Sequence, residues 1–501
     1  MKNFSKIILA GLVLLMFASS CEDFLEKNPL DKISSQTFWK NEADAKMGLA
    51  GVYQALTQVG YADGWYNHSR LDLDALTDDC YLRHGHGQLQ NIAKGLAEPS
   101  LGGAISSVYS QSYKGISRCN IFLDNIGNAE MDETLKKQFI GEVLFLRSYF
   151  YFTLTEFYGG VPLYTTAPTV EDSKVKQSSK TEVVTQILTD LDQAINSLPD
   201  VAYNGHAVKG SALALKAKVL MHNEKWADAA VAANQVIQSG VFSLYNSFPD
   251  LFMPGTQDGN REIVFSTKYE LPDNISYYGP DIINWQWMSN NPMQSLVDEY
   301  ECTDGMSISE SSLYNPEDMR ANRDPRLGYT IRFQAEGETV NGVGEMNFSE
   351  TGYAPKKYIN PANIPTDYGT KSDQDYIHLR YANVLLIYAE SQNEATGPDQ
   401  SVYDAINEIR TRPGIDMPEL TAGLSKDKMR EAIRHERRVE LGGEGFRYFD
   451  IIRWRTAENI IPNIVDPGGN NRAFDPAKNY LFPFPQSERD INENLDQNPN
   501  Y

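Results

Sequence analysis

Residues 208–238 read VKGSALALKAKVLMH-NEK-WADAAVAANQVIQ, and this stretch decides the fold class. In Val208–His222, small and aliphatic residues recur from Ala212 onward at the spacing of one helix face. Trp226–Gln238 repeats the pattern and is followed by Gly240, which suits a helix C-terminus. Two helices with small residues at their contact and a tight turn predict a tetratricopeptide-like hairpin.

A second pair of helical patterns has the same design. It consists of Tyr381–Glu394 (YANVLLIYAESQNE) and Val402–Arg410, separated by a Gly-Pro step. Further helical patterns cover residues 104–126, 133–157 and 181–198. The chain is therefore predicted to be mostly α-helical. Unrelated helix pairs in an all-α core are the alternative to a tetratricopeptide-like scaffold.

The middle of the chain has a different character. Residues 240–376 are rich in Gly, Pro, Asn, Asp and aromatic residues, and Arg261–Tyr269 and Tyr329–Phe333 have β-character. No low-complexity linker divides the chain. We therefore expect a loop-rich half with minor β-structure, packed on the helical scaffold, and we expect its loops to carry the function.

The N-terminus carries a targeting signal. A positively charged start precedes the apolar run IILAGLVLLMF (residues 7–17), and the small residues ASS lead directly to Cys21. This pattern predicts a signal peptide over residues 1–20, too short to span a membrane, with a bacterial lipobox. Cys21 then becomes the lipidated first residue, and each buried acyl methylene contributes roughly 0.8 kcal/mol. The alternative is an ordinary secreted protein with a chance cysteine at this position.

Composition excludes several classes of function. The formal charge is −22, and it becomes more negative when the two signal-peptide lysines are removed. A protein this acidic is not expected to bind nucleic acid, and binding of polyanionic glycans is weakly disfavoured. Cys80, Cys119 and Cys302 have no metal-site spacing, and which of them pair, if any, is open.

Several segments together resemble one family, the SusD/RagB-type outer-membrane lipoproteins. The resemblance runs nearly end to end, and its motifs stand in the right order although each is weak alone. They are CEDFLE at 21–26, Pro29, FW at 38–39, EVLFLRSYFYFTLTEFYGGVPL at 142–163, AINEIRTRPG at 405–414, RHERRVELGGEGFRYFDIIRW at 434–454, and the tail 483–501 that ends in QNPNY.

The resemblance implies a fold and a role. It implies one domain over residues 21–501 with about four tetratricopeptide-like helix pairs. It implies a nutrient-binding protein that is not an enzyme, needs no cofactor, and works with a SusC-like TonB-dependent transporter in the outer membrane.

The arginine-rich segment of the resemblance is interpreted as structural. Glu436 and Glu440 lie within i±3 and i±4 reach of neighbouring arginines on a predicted helix that ends at Gly442. The planar guanidinium group of arginine suits bidentate pairing with carboxylates in partly buried positions. We therefore expect these residues to brace the scaffold against the loops, rather than to bind a ligand.

Enzyme motifs are weak or missing in the sequence. The segment RHGHG (83–87) has two histidines but no identifiable third ligand, so a solvated loop is favoured over a metal site. The segment GGEG (442–445) lacks the Lys-Ser/Thr of a phosphate-binding loop, and neither G-x-S-x-G nor H-E-x-x-H occurs.

Aromatic residues in polar loops are the better indication of a site. Sugar rings dock their C–H faces on Trp and Tyr, while amides and Arg read the hydroxyls. Two clusters fit, YADGWYNHSR (61–70) and YYGPDIINWQWMSNN (277–291). The candidate ligand-binding residues are Trp65, Tyr66, Asn67, Arg70, Tyr278, Asn284, Trp285 and Trp287. The alternative is that Trp285 and Trp287 pin a long loop to the body.

The sequence thus favours a surface lipoprotein that binds an oligosaccharide and delivers it to a transporter. A peptide-capturing relative or a tetratricopeptide scaffold is the alternative binding function. A glycoside hydrolase is a further alternative, but it needs a defined carboxylate pair that the sequence does not show.

Overall fold

The computed structural model describes residues 38–58, 70–276, 284–285, 287–333, 349–364 and 369–501. Its long helices are α1 (Glu42–Tyr53), α2 (Ala104–Asn125), α3 (Glu133–Tyr158), α4 (Lys180–Ser197), α5 (Lys209–His222), α6 (Trp226–Gln238), α7 (Tyr381–Thr396), α8 (Gln400–Arg410) and α9 (Lys426–Leu441). Shorter helices are Leu89–Ala93, Pro254–Gln257, Gln294–Glu299, Pro325–Thr330, Arg447–Arg453, Ala457–Ile460 and Gln486–Ile491.

The long helices pack as a continuous array of tetratricopeptide-like pairs. From α2 to α7, each helix packs against the next one along the chain, and α7 also contacts α8 and α9. The chain between α6 and α7 holds most of the loops and strands. The predicted mostly-α class, both hairpins and the three further helices are therefore confirmed.

Small residues allow the helices to approach closely. Ala214 on α5 and Ala233 on α6 are completely buried in the hairpin. On α2, a Cβ added at Gly115 would lie 2.6 Å from the Phe150 ring of α3, so a larger residue does not fit there. These contacts are the physical basis of the alanine-rich pattern in the sequence.

Local signals in the sequence set the helix starts. Ser179 accepts a hydrogen bond from the Glu182 backbone while the Glu182 carboxylate accepts one from the Ser179 backbone, a capping box that starts α4. The Asp132 side chain caps α3 by accepting hydrogen bonds from the backbone N–H groups of Thr134 and Leu135. Each cap satisfies backbone donors that the first helical turn leaves without partners.

The strands are short and form antiparallel pairs. They are β1 (Cys80–Leu82), β2 (Ile263–Thr267), β3 (Asn290–Pro292), β4 (Ile331–Phe333), β5 (Tyr353–Pro355) and β6 (Tyr376–Arg380). Strand β1 pairs with β3, β2 with β6 and β4 with β5. The two segments predicted to have β-character contain β2 and β4, so that prediction is confirmed.

The main hydrophobic core joins the helices to part of the loop-rich half. It extends from Trp39 to Leu495, while smaller clusters lie around Tyr300 and around Trp285. Cys80, Cys119 and Cys302 are buried free thiols. Within the described ranges, no helix is long and apolar enough to cross a membrane.

Helix α9 braces the scaffold against the loops through buried ion pairs. Glu436 accepts a hydrogen bond from Arg326 at 2.5 Å, and Glu440 accepts from Arg380 at 2.7 Å and from Arg412 at 3.0 Å. All five side chains are buried. The interpretation of this segment as structural therefore agrees with its geometry.

The pairing partners differ from the expected ones within the helix. Arg437 donates to Asp450 at 2.7 Å and Arg438 donates to Asp79 at 2.8 Å, so both arginines reach other segments. Glu436 and Glu440 likewise pair with arginines of other segments, because their side of the helix is buried against those segments. The expectation of i±3 and i±4 pairs for Glu436 and Glu440 is thus corrected.

Candidate functional site

Strands β1 and β3 bring two loops side by side. The register places Leu82 opposite Asn290, and the Arg83 N–H donates to the Ser289 carbonyl at 2.8 Å, which extends the pairing by one step. The chain after β1 (residues 83–86) therefore lies against the chain before β3 (residues 287–289). This position joins the RHGHG segment to one of the two predicted aromatic clusters.

Where these two loops meet, the predicted ligand-binding residue Trp287 is partly exposed. Its side chain is half-buried. The ring centre lies 6.0 Å from that of His84, and the two planes are tilted by 58°. His84 Nδ1 lies 3.0 Å from the Ser289 hydroxyl oxygen, which holds the imidazole against the loop. The indole and imidazole rings thus form an aromatic corner.

A buried polar network supports this corner. The His84 and His86 rings stack with centres 6.3 Å apart, and His86 Nε2 lies 3.3 Å from an Asp72 carboxylate oxygen. The Asn290 amide donates to Asp72 at 2.6 Å and to the Asn284 side-chain oxygen at 3.1 Å. Asn284, a predicted ligand-binding residue, is buried here, where it holds Asn290.

The pKa values of the two histidines shift in opposite directions. Burial lowers the pKa of His84, and the positive charges of Arg83 and His86 lower it further. Burial also acts to lower the pKa of His86, but the Asp72 carboxylate outweighs it and raises the pKa of His86 above its ordinary value. His84 is therefore neutral at pH 7, next to Trp287.

Charged groups line one side of the corner. Arg83 Nε lies 3.7 Å from a Glu350 carboxylate oxygen, and an Arg83 Nη1 donates to the Trp287 carbonyl at 3.5 Å. Burial and the neighbouring Glu350 raise the pKa of Tyr81, so its hydroxyl keeps its proton. Aromatic faces beside hydrogen-bonding groups are the combination that a sugar ligand requires.

Trp285 has other surroundings. Only 8% of its surface is exposed, and the guanidinium of Arg332 lies 3.8 Å from its ring centre. It packs with Met288 and Ile359 beside a cavity of about 310 Å³. The expectation of a ring presented to solvent is corrected for Trp285, because the cation on its face and the cluster around it bury the ring.

Arg70 is also buried. Its guanidinium carbon lies 5.1 Å from the ring centre of Phe446 and 5.3 Å from that of Phe449, and one Nη1 donates to the Tyr149 hydroxyl at 3.5 Å. Only 8% of the residue is exposed. The structure therefore places Arg70 between aromatic rings of the core, and not in the solvent-facing position expected from the sequence.

The remaining predicted residues lie outside the described residues. They are Cys21, Trp65, Tyr66, Asn67 and Tyr278. The structure neither supports nor contradicts their predicted roles.

A second concavity lies away from the aromatic corner. A groove of about 410 Å³ runs between α2, the segment that follows α3, and the C-terminal segment. Tyr109, Tyr113, Tyr164 and Glu488 line it. Of the predicted ligand-binding residues that the structure describes, none lines this groove, so it is a competing location for a ligand.

Sequence reasoning missed the position of His84 beside Trp287. The sequence favours a solvated loop over a metal site for RHGHG, but in the structure His84 of this segment packs against Trp287. Within the residues that the structure describes, no cluster of His, Cys, Asp and Glu has the arrangement of a metal site. The signal that marks the corner is a histidine two residues after a short strand, and only the strand pairing shows which aromatic residue it contacts.

Two family models match the chain. The model described as the SusD family matches residues 255–501. The model described as "Starch-binding associating with outer membrane" matches residues 23–221. The two matched regions leave out residues 222–254, which contain α6, and together cover the rest of the helical scaffold and most of the loop-rich half.

Individual proteins are similar over nearly the whole chain. SusD-like protein P38 of Formosa agariphila is 28% identical over 496 residues, which cover 92% of this chain and 94% of that protein. A SusD-like carbohydrate-binding protein from Bacteroides fragilis is 28% identical with a TM-score of 0.82, covering 92% of this chain and 100% of that structure. A laminarin-binding SusD-like protein is 25% identical with a TM-score of 0.74, again covering 92% of this chain and 100% of that structure.

Proposed function

Because this chain belongs to the SusD family, we propose that it binds an oligosaccharide at the cell surface and delivers it to a SusC-like TonB-dependent transporter. The observation that carries the proposal is the aromatic corner of Trp287 and His84. Two similar structures bear names that state carbohydrate or laminarin binding, which supports the ligand class.

The chemistry of the corner suits a neutral sugar. A half-buried indole offers a flat apolar face to the C–H groups of a sugar ring, and burying apolar area contributes roughly 25 cal/mol per Å². The neighbouring imidazole, guanidinium and carboxylate groups offer donors and acceptors to hydroxyls. In this proposal Trp287 is the anchor, while Trp285 and Asn284 hold the loop that presents it.

The proposal includes a place and an anchor. Residues 1–20 are the signal peptide, Cys21 carries lipid, and residues 21–501 form one domain on the outer face of the outer membrane. The description of the family model that matches residues 23–221 names an association with the outer membrane, which supports this location. The protein binds and delivers its ligand without catalysis and needs no cofactor.

The test is direct binding. The purified protein is titrated calorimetrically with laminarin, soluble starch, xyloglucan, galactomannan and levan, and with a tryptic digest of casein as a peptide probe. We expect saturable binding of at least one glycan and no release of reducing sugar on long incubation. Binding of the peptides but of no glycan would favour the peptide-capturing alternative. Release of reducing sugar would favour a hydrolase.

A further inference from the structure

We propose that His84 is a ligand-contacting residue of the Trp287 site, with its imidazole fixed in one tautomer by Ser289 so that Nε2–H donates to an oxygen of the bound sugar. This inference rests on the proposed glycan-binding function. It adds a specific donor, at a specific atom, to the aromatic face.

Ser289 determines which nitrogen carries the proton. The Ser289 side chain is fully buried. Its single hydrogen-bond partner among the described residues is His84 Nδ1, at 3.0 Å. A buried hydroxyl that only accepted this bond would leave its own hydrogen without an acceptor, which costs more than an unused lone pair. The Ser289 hydroxyl therefore donates to Nδ1, and the proton of the neutral imidazole resides on Nε2.

The Nε2–H group is available to a ligand. His84 is half-buried, its Nδ1 is taken by Ser289, and its ring faces contact His86 and Trp287. In the described part of the chain, Nε2 of His84 forms no hydrogen bond and is not enclosed. His86 differs, because its Nε2 faces the Asp72 carboxylate. Of the two histidines, His84 thus has the donor that remains for a sugar.

Charge supports the same assignment. The charged and titratable groups that face His84 are Arg83, His86 and Glu350; burial lowers the pKa of His84, Arg83 and His86 lower it further, and Glu350 only partly opposes them. Protonation would also make Nδ1 a donor and break its bond from Ser289. The imidazole is therefore neutral at pH 7, with its donor fixed before the ligand arrives.

The tautomer is tested without any ligand. Nitrogen-15 spectra of histidine-labelled protein, assigned with the His84→Gln variant, report which nitrogen of His84 is protonated and at what pH the ring titrates. We expect the Nε2–H tautomer and a pKa below the ordinary value, and we expect Ser289→Ala to raise that pKa. An Nδ1–H tautomer in the wild type overturns the inference.

The contact is tested by binding. Against the glycan of the five-member panel that the wild type binds most tightly, His84→Ala should weaken binding about 3- to 10-fold, the value of one lost hydrogen bond. His84→Gln, which keeps an N–H donor, should recover part of the loss. His206→Ala is the matched control, because His206 hydrogen-bonds Glu142 on the scaffold.

The outcomes separate this inference from the proposed function. If Trp287→Ala loses binding while His84→Ala binds like the wild type, the glycan site stands and the role of His84 is overturned. If both variants bind like the wild type, the site itself is misplaced. If no panel glycan binds the wild type, the proposed function and this inference both fail.

Melting curves of His84→Ala and His84→Gln should match that of the wild type. Equal loss of stability and affinity in both variants would assign His84 a structural role.

Discussion

The guanidinium of Arg332 lies 3.8 Å from the centre of the Trp285 ring and covers one face of it. Trp287, two residues later, has its half-buried ring beside His84 instead. The sequence offers the two tryptophans as equal candidates for a ligand. The structure separates them, because one ring packs in a cluster beneath a cation and the other forms part of a partly open corner.

Trp287→Ala should weaken glycan binding by at least ~30-fold, the typical consequence of losing an aromatic anchor. Its melting temperature should change little, because the ring is only half-buried. Trp226→Ala is the matched control, since Trp226 is another half-buried tryptophan, on α6. The measurement is calorimetric titration with the panel glycan that the wild type binds best, together with melting curves. Wild-type affinity in Trp287→Ala would remove this residue from the site.

Trp285→Ala should instead lower stability. Truncating a buried aromatic side chain typically costs about 3–5 kcal/mol, although a position beside a cavity of about 310 Å³ favours the lower end. Any loss of affinity should be smaller than that of Trp287→Ala. Thermal and urea denaturation measure the effect, and an unchanged midpoint would mean that the ring is not packed as described.

Tyr164→Ala tests the competing groove between α2 and the C-terminal segment. Tyr164 is half-buried in this groove of about 410 Å³. If the glycan binds at Trp287, this variant should bind it like the wild type. A loss of affinity in Tyr164→Ala with none in Trp287→Ala would relocate the ligand to the groove.

Overpacking the α5–α6 hairpin should destabilise the scaffold. Ala214→Trp or Ala233→Trp places a large ring where the native side chain is fully buried, and such substitutions cost typically about 1–3 kcal/mol, occasionally more. Val231→Trp is the control on α6, the helix of Ala233, because Val231 is 60% exposed. Unfolding in urea should show lower midpoints for the alanine variants and a near-native one for the control.

Stability should fall in acid because of the buried carboxylates of the arginine network. Burial alone would raise the pKa values of Glu436 and Glu440, but Arg326, Arg412 and their neighbours outweigh it and lower both. A carboxylate whose pKa is lower in the folded than in the unfolded state stabilises the fold above the unfolded pKa of about 4.3. This stabilisation is lost as pH falls through the folded pKa. Melting temperatures should therefore be level near neutral pH and decline below about pH 4.5.

Glu440→Gln should remove part of this stability at neutral pH. Breaking a buried ion pair from one side typically costs about 3–5 kcal/mol, because the other charge stays buried without its partner. Glu431→Gln is the control, since Glu431 pairs with Lys428 on the exposed side of the same helix. If both variants melt at the same temperature, the buried pairs contribute less than their geometry indicates.

Sequence alone determined the helical array. The helical spacing of apolar residues and the positions of small residues are local properties of the chain, and the tertiary contacts agree with them. Val208–Gln238 is an example: its apolar spacing and tight turn predict the hairpin that forms. The ordered motifs likewise placed the chain in its family. The lipidation of Cys21 and the roles of Trp65, Tyr66, Asn67 and Tyr278 stay predictions.

Only the tertiary structure decided which loop residues can meet a ligand. Trp285 and Trp287 have the same chemistry, and their exposure depends on Arg332 and His84, which lie far from them in the sequence. Arg70 and Asn284 are polar, yet both are buried: Arg70 lies against the Phe446 ring, and Asn284 accepts a hydrogen bond from Asn290, which also donates to Asp72. The physical reason is that a loop has no periodic pattern that determines which of its side chains face solvent. Strand pairing and long-range packing determine this instead.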